Sequence, residues 1–305
     1  STDGDDASPG TVLLKNNNTQ TNGNLTIYNA GQSPGVDEVT PITGETFNNI
    51  NISKGANVRF NNIINVSAGQ ILIEPGSNQV IFNAGSTINV TNLIVNDSLH
   101  DDSNSITIKG NLTIGHLGTY IQNHTQEISV TDTVLIYGNL THQDGSSVNI
   151  TNGEIRIKSK DFFLRSIGFI DSDLKGFRGS STSGASGEGT GGGDGTSNGF
   201  GDGGGGGAYG GDGGDAFGFS GANGIGGTAY ASASNVTTMG SGGGDGGGSD
   251  GGDGGGYIRI NATGTTEING TITANGGGGS TGTGSTGGGG GSGGGIWIIT
   301  NVLRG

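Results

Sequence analysis

Apolar and polar residues alternate in short bursts along residues 11–178. Leu25-Thr26-Ile27, Ile50-Asn51-Ile52, Ile64-Asn65-Val66, Ile71-Leu72-Ile73 and Ile88-Asn89-Val90 are followed by Ile106-Thr107-Ile108, Ile128-Ser129-Val130, Val148-Asn149-Ile150 and Ile155-Arg156-Ile157. A period of two built largely from β-branched residues buries one side of each segment and predicts strands. Clusters such as Asn83-Ala84-Gly85-Ser86 and Gln143-Asp144-Gly145-Ser146 supply turn chemistry between them. No segment carries a helical stripe of useful length. Strand starts at Ile64, Ile88, Ile106, Ile128 and Val148 are 24, 18, 22 and 20 residues apart, the length of one coil of a parallel β-solenoid. Gly-Asn-Leu-Thr recurs at 23–26, 110–113 and 138–141, as a reused unit would. A β-sandwich of hairpins, with its own frequent turns, is the alternative.

The pattern changes near residue 179. Residues 179–295 are nearly half glycine, punctuated by Phe200, Tyr209, Phe217, Phe219, Tyr230 and Tyr257, with Trp297 just beyond. The division expected from composition is an N-terminal extension over 1–20, a β-solenoid-like domain over 21–178, and a glycine-rich domain with interspersed strands over 179–305. Gly254-Gly255-Gly256 runs straight into Tyr257-Ile258-Arg259-Ile260, and Gly293-Gly294-Gly295 into Ile296-Trp297-Ile298-Ile299. These strands start 39 residues apart, as loops attached to successive coils would require. Glycine chains can form an extended threefold helix with the geometry of polyproline II. Fixing glycine is entropically costly, so dense hydrogen bonding between neighbouring segments would have to offset it. Only 4 prolines and no Gly-X-Y period argue against a collagen triple helix.

The glycine run leading into Gly-Gly-Gly-Ile-Trp-Ile-Ile, with Gly-Thr-Ile-Thr-Ala-Asn-Gly-Gly-Gly-Gly at 270–279, resembles the glycine-rich repeats of large β-helical surface proteins of bacteria and archaea. It is similar in character to the polyglycine-helix bundles of phage tail-fibre tips and of some glycine-rich animal domains. The resemblance covers residues 240–305 well and the rest loosely. It implies a surface-exposed structural or adhesive role and carries over no catalytic residue.

Asn-X-Ser/Thr acceptor sites fall at Asn17, Asn24, Asn51, Asn65, Asn89, Asn96, Asn111, Asn123, Asn139, Asn149, Asn235, Asn261 and Asn269, roughly twice the number chance would give. Strand alternation also generates Asn-apolar-Thr by itself, because both polar residues face outward. The excess predicts N-linked glycans and an extracellular or cell-surface location. The chain begins at Ser1 rather than Met, as a processed product would. With 26 acidic against 12 basic residues and a net charge of −14, the chain repels phosphate backbones, which argues against nucleic acid as a partner. No apolar run approaches the length of a membrane span. The absence of cysteine rules out disulfides, thiol catalysis and Cys-based zinc sites.

Catalytic chemistry is thinly represented. His100, His116, His124 and His142 lack zinc-protease spacing and read as surface or turn residues, with Asp101-Asp102 as a polar turn. Glu154, Asp161, Asp171 and Asp173 are candidate carboxylates for a polysaccharide-acting β-helix enzyme, although Lys158, Lys160, Arg165, Lys175 and Arg178 nearby suit ordinary ion pairing. No cofactor is expected, with calcium the candidate ion. Asp245, Asp250 and Asp253 lie within glycine runs and offer hard oxygen ligands, but their spacing of 5 and 3 misses the nine-residue calcium repeat. Hydrogen bonding of these carboxylates to turns is the simpler reading. The sequence thus points to a structural subunit of an extracellular, N-glycosylated assembly. In it Thr11-Val12-Leu13-Leu14-Lys15 could donate a strand to another copy, giving an open homo-polymer. An adhesin using the glycine-rich loops and aromatics is the alternative.

Overall fold

The computed structural model describes residues 10–14, 22–29, 39–43, 46–124, 126–143, 154–197, 201–218, 223–232, 236–282 and 286–305. Every helix or strand among these residues is a strand, so the fold is all-β. The strands form one 14-stranded and one 8-stranded sheet. In the first part of the chain they are β1 (Gly10–Leu14), β2 (Asn24–Tyr28), β3 (Thr40–Thr43), β4 (Thr46–Phe47), β5 (Asn49–Ser53), β6 (Asn57–Asn61), β7 (Ile63–Ile73), β8 (Gln79–Phe82), β9 (Thr87–Val95) and β10 (Ser98–Asp101). From there each circuit visits three strands. β11 (Ser105–Ile108), β12 (Leu112–Ile114) and β13 (Thr119–Gln122) are followed by β14 (Ile128–Val130), β15 (Thr133–Ile136) and β16 (Asn139–His142). Next come β17 (Glu154–Ser159), β18 (Asp161–Leu164) and β19 (Phe169–Asp171), then β20 (Tyr257–Ile268), β21 (Thr271–Thr273) and β22 (Gly295–Arg304).

In the circuits β11–β13, β14–β16 and β17–β19 the first two strands lie in the larger sheet and the third in the smaller one, whereas β20 and β22 belong to the larger sheet and β21 to the smaller. Each strand pairs in parallel with its counterpart one circuit on, as in β11–β14–β17 and β13–β16–β19. Among the named strand pairs only β1–β2 runs antiparallel, whereas hairpins would make a sandwich antiparallel throughout.

In-register stacking turns the period-two pattern into ladders. Ile27, Ile52, Ile73, Val95, Ile114, Ile136 and Leu164 stand opposite one another from rung to rung, and each is fully buried. Burial of such a side chain is worth about 1.5–3 kcal/mol relative to exposure. In the smaller sheet Phe60 and Phe82 stack edge to face at 5.2 Å. On the outside, side chains of Asn and Asp bridge rungs at the bend between the two flanks of the larger sheet. Asn49 donates its amide to Asn24 Oδ1 (2.9 Å), and Asn49 Oδ1 accepts the Gln70 N–H (3.0 Å). Asn92, Asn111 and Asp161 accept the N–H groups of Asn111, Thr133 and Thr265 in the same way. At these bends donors that would otherwise be left unpaired are thereby satisfied.

The strands beyond residue 256 continue these sheets. β20 pairs with both β17 and β18, β21 with β19, and β22 with β20. The boundary drawn at residue 178 therefore follows composition and divides one β-structure. The glycine-rich stretches 174–256 and 274–294 leave and rejoin it between β19 and β20 and between β21 and β22.

Within those stretches, backbone groups of distant segments bond to one another with a period of three. The N–H groups of Gly240, Gly243 and Gly246 donate to the carbonyls of Gly255, Gly252 and Ser249. Those of Gly242 and Asp245 donate to Glu188 and Ala185. Along residues 240–246 one partner segment is thus met again after every three residues, running the opposite way. Residues 239–246 are all buried. A β-carbon on Gly242, Gly243, Gly244 or Gly246 would come within 1.9–2.1 Å of a carbonyl oxygen of Arg178, Gly289, Asp194 or Gly287. None of these four has a positive φ, so glycine is required there by space.

Candidate functional surfaces

Asn24, Asn51, Asn65, Asn89, Asn139 and Asn261 occupy outward positions on their strands. Asn65 and Asn89 stand in register on β7 and β9, and the Asn89 amide donates to Asn65 Oδ1 at 3.0 Å. Asn51 donates to Glu74 (2.9 Å), Asn123 to Asp102 (2.7 Å) and Asn269 to Glu267 (2.6 Å). Asn111 and Asn269 are exposed, while Asn24, Asn51, Asn65, Asn89, Asn96, Asn123, Asn139 and Asn261 are half-buried. Asn17, Asn149 and Asn235 lie outside the described residues. Part of the Asn-apolar-Thr recurrence is thus explained by ladders, in which amides bond from rung to rung.

Sequence reasoning missed a polar column inside the stack. Phe82, Asp101, Gln122 and His142 stand opposite one another on β8, β10, β13 and β16. Asp101 and Gln122 are fully buried, and His142 is 4% exposed. Asp101 Oδ2 accepts the Tyr120 hydroxyl and lies 3.0 Å from His124 Nε2. Burial, reinforced by the Asp101 carboxylate, holds the Tyr120 hydroxyl well above its usual value. Burial lowers His142 from 6.5 to about 4 despite the Gln143 carbonyl on its ring, with Lys175 and His124 adding to the fall. His124 and His142 are therefore interior residues rather than surface ones, and Asp101 ends a strand rather than forming a turn. His100 is half-buried and His116 exposed.

The other carboxylates are spoken for individually. Glu154 pairs with Arg156 (2.7 Å), whose guanidinium sits 5.3 Å over Tyr257. Glu267 pairs with Arg165 (2.9 Å), which lies 5.0 Å over Phe163. Asp161 and Asp171 accept the N–H groups of Thr265 and Asp173, and Asp173 that of Asn275. In the glycine-rich part, Asp245 Oδ1 accepts from the Gly184 and Gly248 N–H groups (3.0 Å each), and Asp253 Oδ1 from Gly179 (2.8 Å). Asp245 is buried, Asp253 half-buried and Asp250 exposed. No group of three or more His, Asp or Glu among the described residues is arranged to hold a metal. The three aspartates read as calcium ligands are thus not gathered into one cage; two of them serve the backbone.

The two ends of the stack differ. Val12, Leu13 and Leu14 lie along their own chain's β2, opposite Thr26, Leu25 and Asn24. The segment expected to complete another subunit's sheet here completes its own. At the other end β22 has β20 as its partner strand, and its Ile296, Val302 and Leu303 are 40%, 42% and 63% exposed. Among the described residues no helix is long and apolar enough to cross a membrane. Comparison with known proteins finds no matching family model, no similar curated protein and no similar solved structure.

Proposed function

We propose that this chain is a structural subunit of an extracellular, N-glycosylated assembly. In this reading the stacked rungs are a parallel β-solenoid, and the glycine-rich stretches form a polyglycine-II-like bundle docked on its last coils. The observation that carries it is the use made of the backbone. Nearly the whole described chain is spent on cross-rung and cross-segment hydrogen bonding around a largely apolar core, which suits a stiff building element. The long edge of β22, with apolar side chains in water, supports growth by strand addition onto the β1 end of the next copy. An edge of that kind promotes association unless it is covered, and a head-to-tail contact between unlike ends gives an open polymer. The resemblance to glycine-rich surface proteins points the same way.

Electron microscopy of native, unheated material with intact-mass measurement tests this reading. Regular filaments or sheets of a mass above that of the polypeptide are expected, and Leu303→Glu on β22 should disperse them. Dispersed particles of bare polypeptide mass would overturn both parts. A second reading, an adhesin, is favoured by Phe217 and Ile225, which are 83% and 60% exposed on the glycine-rich part. Tyr209 and Tyr230 instead stack on each other at 5.4 Å, and Tyr257 is buried. The adhesin reading requires glycan or host-surface binding by dispersed particles that Phe217→Ala abolishes.

A further inference from the structure

At the corner where the larger sheet hands over to the smaller one, the turns following β12, β15 and β18 come together around one groove. The open groove of about 290 Å³ is lined by Leu117, Tyr137, Ile167 and Asn139, with Gly118 and Gly138 among its lining residues. Leu117, Tyr137 and Ile167 are 69%, 37% and 53% exposed, so apolar surface faces water on three neighbouring rungs. A β-carbon on Gly138 would lie 2.2 Å from the Gly118 carbonyl oxygen, so packing against the preceding turn requires glycine at this position. Contiguous exposed apolar surface of this kind marks a place where something binds.

The first residue of β16 identifies the occupant. Asn139 lines the groove, and Asn139-Leu140-Thr141 is an acceptor sequence with Tyr137 two residues before it. Asn139 Oδ1 is buried without a hydrogen-bond partner, and Asn139 holds an outward position at the start of β16. The amide nitrogens of Asn51, Asn89, Asn123 and Asn269 are instead engaged with Glu74, Asn65, Asp102 and Glu267. We infer that Asn139 carries an N-linked glycan whose first sugar lies in this groove, its less polar ring face on Tyr137 and between Leu117 and Ile167. The inference rests on the glycosylation reading above and deepens it. The groove lining contains no Asp, Glu, Lys or Arg, which suits a neutral sugar. Its volume lies at the small end of ligand sites, which start at about 300 Å³, enough for one ring. Attachment forms a bond from Asn139 Nδ2 to the anomeric carbon of an activated glycosyl phosphate. The anomeric carbon–oxygen bond breaks, and the leaving phosphate takes up the displaced amide proton.

Site-resolved glycopeptide mass spectrometry on protein from its native source, with melting curves of variants made in that host, tests the assignment. The Asn139 peptide is expected to carry sugar. Asn139→Gln should lower Tm by about 2–4 °C, the shift expected for roughly 1 kcal/mol in a domain of 150–250 residues, whereas Asn261→Gln should leave it within about 1 °C. Tyr137→Ala should lower Tm in the glycosylated protein yet add little on top of Asn139→Gln, because the two changes remove one contact. A bare Asn139 peptide beside glycosylated neighbours overturns this inference alone. Bare peptides at every acceptor site overturn it together with the glycosylation reading. Fully additive effects of Tyr137→Ala and Asn139→Gln would refute the docking of the sugar on the tyrosine.

Discussion

Acid should loosen this molecule at a particular residue. His142 ends β16 at 4% exposure, with Gln122 in register on the rung before it. Its ring Nδ1 lies 2.9 Å from the Gln143 carbonyl, and Nε2 has no hydrogen-bond partner. The groups that act on its charge are Lys175 and His124, both of which disfavour protonation. Burial is the larger cause, and the folded value falls from 6.5 to about 4. The unfolded chain therefore binds the proton first as pH drops. The stabilisation is complete above about 6.5, drains away between about 6.5 and 4, and is gone below that. At about 1.36 kcal/mol per pH unit the loss reaches about 3 kcal/mol by pH 4. Urea unfolding of the wild type and of His142→Gln, followed by far-UV circular dichroism from pH 7.5 to pH 4, isolates this residue from the other titrating groups. The wild type should lose about 3 kcal/mol more than the variant across that span, nearly all of it below about pH 6.5. Parallel pH profiles would refute the argument, because the histidine would then titrate alike in both states.

Two further outcomes can be checked by thermal and urea denaturation. Gly243→Ala, whose β-carbon would sit 2.0 Å from the Gly289 carbonyl oxygen, should cost about 3 kcal/mol or more. Gly210→Ala, with nothing within 4 Å, should lie within about 1 kcal/mol of the wild type on the stabilising side; equal effects would mean the glycine segments are not packed as described. Phe162→Ala, fully buried in β18, should cost about 3–5 kcal/mol, while Leu135→Ala, pointing outward from β15, should cost less than about 1 kcal/mol.

The larger sheet was legible because its strands put two apolar residues inward. Ile50 and Ile52, Ile71 and Ile73, Ile106 and Ile108, and Ile155 and Ile157 are all buried as the alternation predicts. Val148 and Ile150 lie outside the described residues. The smaller sheet was harder to read, since β10, β13 and β16 each bury one apolar residue beside one polar residue: Leu99 with Asp101, Tyr120 with Gln122, Leu140 with His142. Period-two reading sees only half a strand in such segments, and so it assigned the histidines to the surface. What makes these polar residues interior is register, a long-range property that no local window contains. The glycine-rich part hid its order for a different reason. Its specificity lies in the side chains that are absent, and a missing β-carbon looks the same in a packed segment as in a flexible linker.

Lys158 lies opposite Ser129 on one side and Asn261 on the other. The chain between matched positions thus lengthens from 29 residues to 103 within a single step of the stack. Closing a loop costs free energy only as the logarithm of its length, so this detour adds about 1 kcal/mol to docking β20 on β17. The sheets themselves need no adjustment, because the register on either side of the detour is set by the strands alone. Such a corner is a place where lineages can exchange, lengthen or lose an entire module while the scaffold goes on folding.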